Sequence, residues 1–266
     1  MTTPRIVDAH MHLGAPGTLF TFGWELADIL RLMDRLGIDR AYSMHHNWLA
    51  GHCEEARTAS LEAFEKSGGR LPFLAVHNPN EENESLHAMN ACLGHEGFIG
   101  IKIHPSFHGL SADDERYESI WDYATEHRLP ILSHTWSETY NPVQKLSQPM
   151  LFEKYIASYP RVAFVMGHCG GPGAGRGQAI HLAQKYPNVY LDIAGDIFSL
   201  GLVPELVQAV GAHKVLFGSD MPWIDPRARL GAVLLANLDD TAKTQILGQN
   251  AMHVFEPRLV AGERLC

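Results

Sequence analysis

The chain has 266 residues, of which 45% are hydrophobic, and a formal net charge of −9 at pH 7. That length suits one large folded core, and an acidic balance with scattered Lys and Arg leaves no basic stripe to neutralise a phosphate backbone, so nucleic acid is excluded as an expected partner. No apolar run approaches the ~20 residues of a membrane span, and the opening Met1-Thr2-Thr3-Pro4-Arg5 lacks the apolar core of a secretory signal, so a cytoplasmic protein without a membrane partner is expected.

Short β-rich runs alternate with amphipathic helical patterns along the chain. The first strand is read at Ile6 to His12, with a helix at Trp24 to Leu36 that Gly37 closes. A strand at Arg40 to Met44 and a helix at Glu54 to Lys66 follow, bounded by Gly68-Gly69. The third unit pairs Leu71 to His77 with Glu81 to Leu93, and the fourth Ile99 to His104 with Asp113 to His127. Pro130 precedes the strand at Ile131 to Thr135, whose helix is Pro149 to Ser158. Ala163 to His168 then leads through the Gly-rich loop Gly170 to Gly175 into a helix at Gly177 to Tyr186. The last two units join Val189 to Ile193 with Leu202 to Val210, and Val215 to Asp220 with Leu230 to Leu238. Eight strand-helix units in this length predict an α/β fold, a single-domain (β/α)8 TIM barrel over residues 1–266. A doubly wound open sheet is the rival, but the turn after the first strand, His10-Met11-His12-Leu13-Gly14, has the wrong chemistry for a pyrophosphate. Cys53, Cys92, Cys169 and Cys266 form no Cys-x-x-Cys pair and are read as reduced thiols.

In a barrel the reacting side chains sit at the C-terminal ends of the strands. His10 and His12 end the first strand, and their i, i+2 spacing puts both imidazoles on one face. Lys102 and His104 end the fourth strand, His134 the fifth, His168 the sixth and Asp220 the eighth. Three His nitrogens and one carboxylate oxygen are a sound shell for a divalent ion with room for water, and Asp220 could also accept that water's proton. His45 and His46 after the second strand, and His77 at the end of the third, could line the mouth. Trp136 and Trp223 could wall the pocket, and Asp192 or Asp196 could orient a site histidine from behind.

Five motifs carry a family resemblance. They are Asp8-Ala9-His10-Met11-His12, Gly100-Ile101-Lys102-Ile103-His104-Pro105, Leu132-Ser133-His134, Met166-Gly167-His168-Cys169-Gly170-Gly171, and Leu216-Phe217-Gly218-Ser219-Asp220-Met221-Pro222-Trp223. In this order, and over nearly the full length, the chain resembles the amidohydrolase superfamily, specifically the amidohydrolase-2 group that includes enzymes of the aminocarboxymuconate-semialdehyde decarboxylase type. Ile246 to Ala251 is similar to that group's closing helix. The resemblance implies that His10, His12, His134 and Asp220 hold one metal ion, with His168 orienting or deprotonating its water or polarising the substrate. Zn²⁺ is the expected ion and Mn²⁺ the alternative.

Lys102 has three readings. Alternation along Ile101 to His104 turns Lys102 and His104 inward together, and an inward lysine needs a partner. It could bind an anionic substrate group or a buried carboxylate such as Asp8. It could instead be carbamylated and bridge a second metal, as in the binuclear branch of the superfamily, or be structural. His104 is read as substrate-facing. The resulting expectation is a metal-dependent hydrolase acting on an ester, lactone or amide of a small carboxylate-bearing molecule. Non-oxidative decarboxylation of a small unsaturated or aromatic acid is the alternative, a non-catalytic metal-binding or sensing barrel is a third reading, and a homo-oligomer is left open.

Overall fold

The structure is a computed structural model and describes residues 5–14, 25–137 and 141–256. Trp24, the expected start of the first helix, and Cys266 lie outside those residues. Eight parallel strands form one sheet in sequential order: β1 (Ile6–Leu13), β2 (Ile38–His45), β3 (Phe73–Val76), β4 (Phe98–Ile103), β5 (Ile131–His134), β6 (Phe164–Gly167), β7 (Val189–Asp192) and β8 (Val215–Leu216). The principal helix of each unit is α1 (Leu26–Leu36), α2 (Cys53–Lys66), α3 (Glu82–Asn90), α4 (Glu118–His127), α5 (Glu153–Ser158), α6 (Ala174–Lys185), α7 (Leu202–Val210) or α8 (Pro226–Leu234), with shorter helices between and after them. Sequential order with parallel pairing is what repeated strand-helix units produce when each returns beside the last. The first and last strands meet through backbone hydrogen bonds from Ala9 to Phe217 (2.9 Å), Asp220 to His10 (2.8 Å) and His12 to Met221 (2.8 Å), which bring the ends of the sheet together as a barrel.

Tyr42, Met44, Leu74, Leu132, Val165 and Leu216 form one buried cluster. Side chains from β2, β3, β5, β6 and β8 can meet only inside the barrel, so this cluster fills its lumen beneath the polar strand ends. Val254 and Phe255 of the last helix, Asn250–Phe255, belong to the same cluster, with Phe255 edge-on to Tyr42 at 5.2 Å. Outside the sheet a larger cluster packs Phe73, Ile101, Ile131, Phe164 and Leu191 against the helices through side chains such as Trp121 and Leu182.

Several boundaries differ from the sequence reading for local reasons. α6 starts at Ala174, inside the stretch read as loop, after Gly173 makes the turn at a φ of 66°. α8 begins at Pro226 because Asp225 accepts from the Arg227 amide as N-cap and Pro stands at the first turn, so the helix lies four residues earlier than expected. The Asp113 to His127 segment opens with a 3-10 turn, Glu115–Tyr117, capped by Asp114 before α4 starts. The ladder between β7 and β8 stops at Leu216; the chain then hydrogen-bonds to β1 and turns left-handed at Asp220 (φ 66°).

Candidate active site

The site is built where β1, β4, β5, β6, β7 and β8 end. His10 and His12 project inward from β1, with their rings 5.5 Å apart. His10 Nδ1 donates to Asp192 Oδ2 at 2.9 Å, which fixes the ring and aims Nε2 into the barrel. His10 Nε2 lies 3.3 Å from Asp220 Oδ1, and His12 Nε2 donates to the same oxygen at 3.1 Å. His168 Nδ1 stands 3.6 Å from Asp220 Oδ2 without a hydrogen bond. The backbone at His168 (φ 60°), Cys169 (φ 42°) and Asp220 (φ 66°) is left-handed, a conformation that costs side-chain-bearing residues free energy and concentrates where geometry is functionally constrained. Asp192 supports this geometry twice, since its Oδ1 also accepts the His168 amide at 2.8 Å. Gly167 gives His10 room: a Cβ there would stand 3.2 Å from His10 Cε1.

Lys102 is 1% exposed and donates through Nζ to His10 Nε2 at 3.0 Å. Its partner is therefore an imidazole and not Asp8, which is bound by Ser219 Oγ, by the Ser219 amide (3.0 Å) and by the His10 amide (3.1 Å). His104 stacks on His134 at 4.0 Å and 8°, and its Nδ1 accepts from the Phe107 amide at 3.3 Å. His134 Nε2 donates to Gln144 Oε1 at 2.9 Å. Trp223 stacks on His12 at 3.6 Å, and Trp136 lies edge-on to His168 at 5.4 Å. All these rings, with Asn141, Gln144 and Asp196, line one cavity of about 410 Å³, a volume suited to a small molecule.

Burial dominates the protonation states. It pushes His12 down to about 3 against the opposing hydrogen bond to Asp220, and it holds His104 and His134 well below the usual imidazole range, helped by neighbouring positive charge. His168 is lowered for the same first reason. Burial pushes Lys102 down to about 8, opposed by the charges of Asp220 and Asp192. For Asp220 burial acts upward, but positive charge on His10 and His168 and the His12 hydrogen bond outweigh it and keep the carboxyl well below its ordinary range. Asp8, fully buried, is raised to about 7.

The residues fit a divalent metal ion. Among the described residues, two groups of ligand atoms lie within 4.8 Å of one another, His10-His12-Asp220 and His10-His168-Asp192. Carboxylate oxygens of Asp192 and Asp220 flank His10 at 2.9 and 3.3 Å, and with Nδ1–H committed to Asp192, Nε2 is left as a lone-pair donor, engaged here by Lys102 Nζ and able to ligate a metal ion. The first group has the two-His, one-carboxylate chemistry of Zn²⁺ and similar ions. His134 faces the same cavity but stands outside both groups, on Gln144.

Of the weaker candidates, Asp192 orients His10 as expected of a residue behind the site, whereas Asp196 lines the cavity itself. Trp136 and Trp223 wall the pocket. His77 does not line it; it is fully buried, with Nδ1 3.1 Å from Ser85 Oγ. His45 Nδ1 caps the short helix His46–Leu49, and His46 lies edge-on to Trp223 at 5.8 Å. Asn141 and Gln144 escaped the sequence reading. Their signal was the Asn141-Pro142 pair, which marks a capped turn just beyond a strand end that carries a site histidine.

A parallel barrel with a His/Asp centre at its C-terminal rim defines a class of metal-site (β/α)8 proteins. Within that class, the amidohydrolase family model matches residues 7–256, and the chain belongs to this family. No curated protein matches it. Among solved structures it is similar to an uncharacterised TIM-barrel protein from Bordetella bronchiseptica (16% identity, 94% of this chain and 98% of that one, TM-score 0.76). It is also similar to 2,6-dihydroxybenzoate decarboxylase from Rhizobium (14% identity, 96% and 99%, TM-score 0.74). A third similar structure is 4-oxalomesaconate hydratase from Rhodopseudomonas palustris (18% identity, 97% and 97%, TM-score 0.68). At these identities the likeness is one of fold. No helix among the described residues is long and apolar enough to cross a membrane.

Proposed function

We propose that the protein is a metal-dependent hydrolase that cleaves an ester, lactone or amide bond in a small, carboxylate-bearing substrate. The observation that carries this reading is the convergence on Asp220, whose Oδ1 faces His10 and His12 while Oδ2 faces His168. His10, His12 and Asp220 would hold the ion, and His134 would join them on leaving Gln144. Zn²⁺ suits this donor set, and Mn²⁺ is the alternative. Such an ion supplies an activated water at neutral pH and polarises a carbonyl oxygen.

The chain's own groups do the rest. Asp220 is kept ionised and can accept the proton of the attacking water, then return it to the leaving group. His168 is buried, with burial lowering its basicity, and unpartnered at Nδ1, so it can position the nucleophile or donate to the developing oxyanion. Asp192 keeps His10 and the His168 backbone in register. With His10 Nε2 engaged by an ion, Lys102 Nζ would be released from that contact at the cavity floor to meet a substrate carboxylate, with His104 beside it. Carbamylation of Lys102 to bridge a second ion is the less favoured arrangement, because its Nζ is already on His10.

Non-oxidative decarboxylation on the same residues is the second reading, favoured by the decarboxylases among the similar structures. The test is a panel of lactones, amides and carboxylic acids assayed with metal-quantified protein, with CO₂ release followed separately. Hydrolysis without CO₂ is the expected result; CO₂ release from an acid with no hydrolysis of any ester, lactone or amide would replace the first reading by the second.

A further inference from the structure

The cavity has an edge that the chemistry above does not use. Asn141 is the N-cap of the 3-10 turn Pro142–Ser147, and its Oδ1 accepts from the Val143 amide at 3.0 Å. The Gln144 amide donates to Asn141 O at 2.9 Å, closing an i to i+3 turn. Asn141, extended at the N-cap (φ −146°, ψ 115°), and Gln144, in the turn it opens, both line the cavity.

Each carboxamide already has its oxygen occupied, Asn141 by Val143 and Gln144 by His134. What each offers the cavity is therefore an NH₂ group, and neither NH₂ has a hydrogen-bond partner among the described residues. Should His134 leave for an ion, Gln144 Oε1 is freed as well, and the Gln144 NH₂ remains a donor beside that of Asn141. Asn141 and Gln144 follow β5, beside the near-parallel His104, His134 and Trp136 rings, which meet at 8° and 9°. Asp196, after β7, is a carboxylate on the same cavity. A second acidic or carbonyl group on a bound molecule is repelled by Asp196 and finds neutral donors on the β5 side, while Lys102 lies at the floor on His10.

We propose that Asn141 and Gln144 form a subsite for an oxygen acceptor, a carboxylate or a carbonyl, on a flat substrate whose reacting group meets Asp220 and His168. The proposal rests on the hydrolase reading only for the position of the reacting group. Two carboxamides bind such an oxygen through N–H donors without adding charge, which selects for acceptor geometry.

The test is calorimetric titration of zinc-loaded protein with benzoate, 3-acetylbenzoate and isophthalate. Isophthalate is expected to bind about tenfold more tightly than benzoate, as one added charge-assisted hydrogen bond allows. A matching gain for 3-acetylbenzoate assigns the subsite to any carbonyl oxygen, and its absence assigns it to carboxylates. The double variant Asn141→Leu/Gln144→Leu should bind all three ligands alike. The near-isosteric pair Asn141→Asp/Gln144→Glu, which keeps the turn and the volume, should bind isophthalate less tightly than benzoate. No advantage of either second group in the wild type, or an advantage retained in the carboxylate pair, overturns the proposal. Turnover on the lactone and amide panel is a separate readout, so a tenfold preference without hydrolysis would remove the hydrolase reading and leave the subsite standing.

Discussion

Around His10 two carboxylates have different tasks. Asp220 faces the reacting space, while Asp192 takes the Nδ1 proton and the His168 amide from behind. Asp192→Asn should therefore weaken metal affinity about 10- to 100-fold, the usual cost of losing a group that orients a ligating imidazole, as read by competition with a chelator. Unchanged affinity would show that His10 keeps its orientation without the carboxylate. His10→Ala or His12→Ala should abolish metal retention, whereas Asp220→Asn should keep much of the metal and lose turnover, because an amide oxygen can ligate but cannot accept a proton. Near-wild-type kcat in Asp220→Asn would exclude it as the base. His10, His12, His168 and Asp220 were legible in the sequence because each ends an apolar run, and strand ends share one face of a barrel. The Lys102 to His10 contact and the Gln144 to His134 contact were not, since they depend on side-chain reach across the lumen and on the course of a loop.

At the scale of elements, the loop after β7 bears directly on the centre. Gly195 has a φ of 93°, and a Cβ there would lie 2.5 Å from His168 Nδ1. Gly195→Ala should thus displace the His168 ring and lower kcat on the order of a hundredfold with metal content unchanged, as small misplacements of catalytic groups do. Wild-type kcat would mean that the loop yields and the ring does not. The β3 and β4 ends carry a second consequence of burial, which pushes His77 down to about 3 and His108 to about 4. Both are depressed below the unfolded value near 6.5, so the unfolded chain binds more protons in acid. Their stabilisation is complete above about pH 6.5 and is lost as pH falls towards 4 and then 3, at about 1.4 kcal/mol per pH unit for each proton taken up. Melting temperature should fall over that window, with a shallower slope in His77→Asn; an unchanged slope would clear His77 of the effect. Element identity was readable here because hydrophobic period and flanking Gly or Pro are local signals. Boundaries were less so, as at α8, where Asp225-Pro226 set the start ahead of the apolar pattern, and at β8, where pairing with β1 ended the ladder early.

For the whole molecule, the alternation of strand and helix foretold the sequential sheet, because each unit packs on the one before it. Closure did not follow from any single unit; it depends on the Ala9, His12 and Asp220 backbone bonds between the two ends of the sheet and on Phe255 filling the lumen beneath. Phe255→Ala should cost about 3 to 5 kcal/mol in urea unfolding, the range for a buried aromatic truncated in a packed core; a cost under about 1 kcal/mol would show that the last helix only covers the barrel. The central claim is that a divalent ion at His10, His12 and Asp220 is what makes this barrel an enzyme. It is tested most directly by titrating Zn²⁺ into chelator-stripped protein while following turnover of a substrate found in the panel. Activity is predicted to rise from zero and saturate at one ion per chain, and full activity in the stripped, metal-free protein would contradict the account.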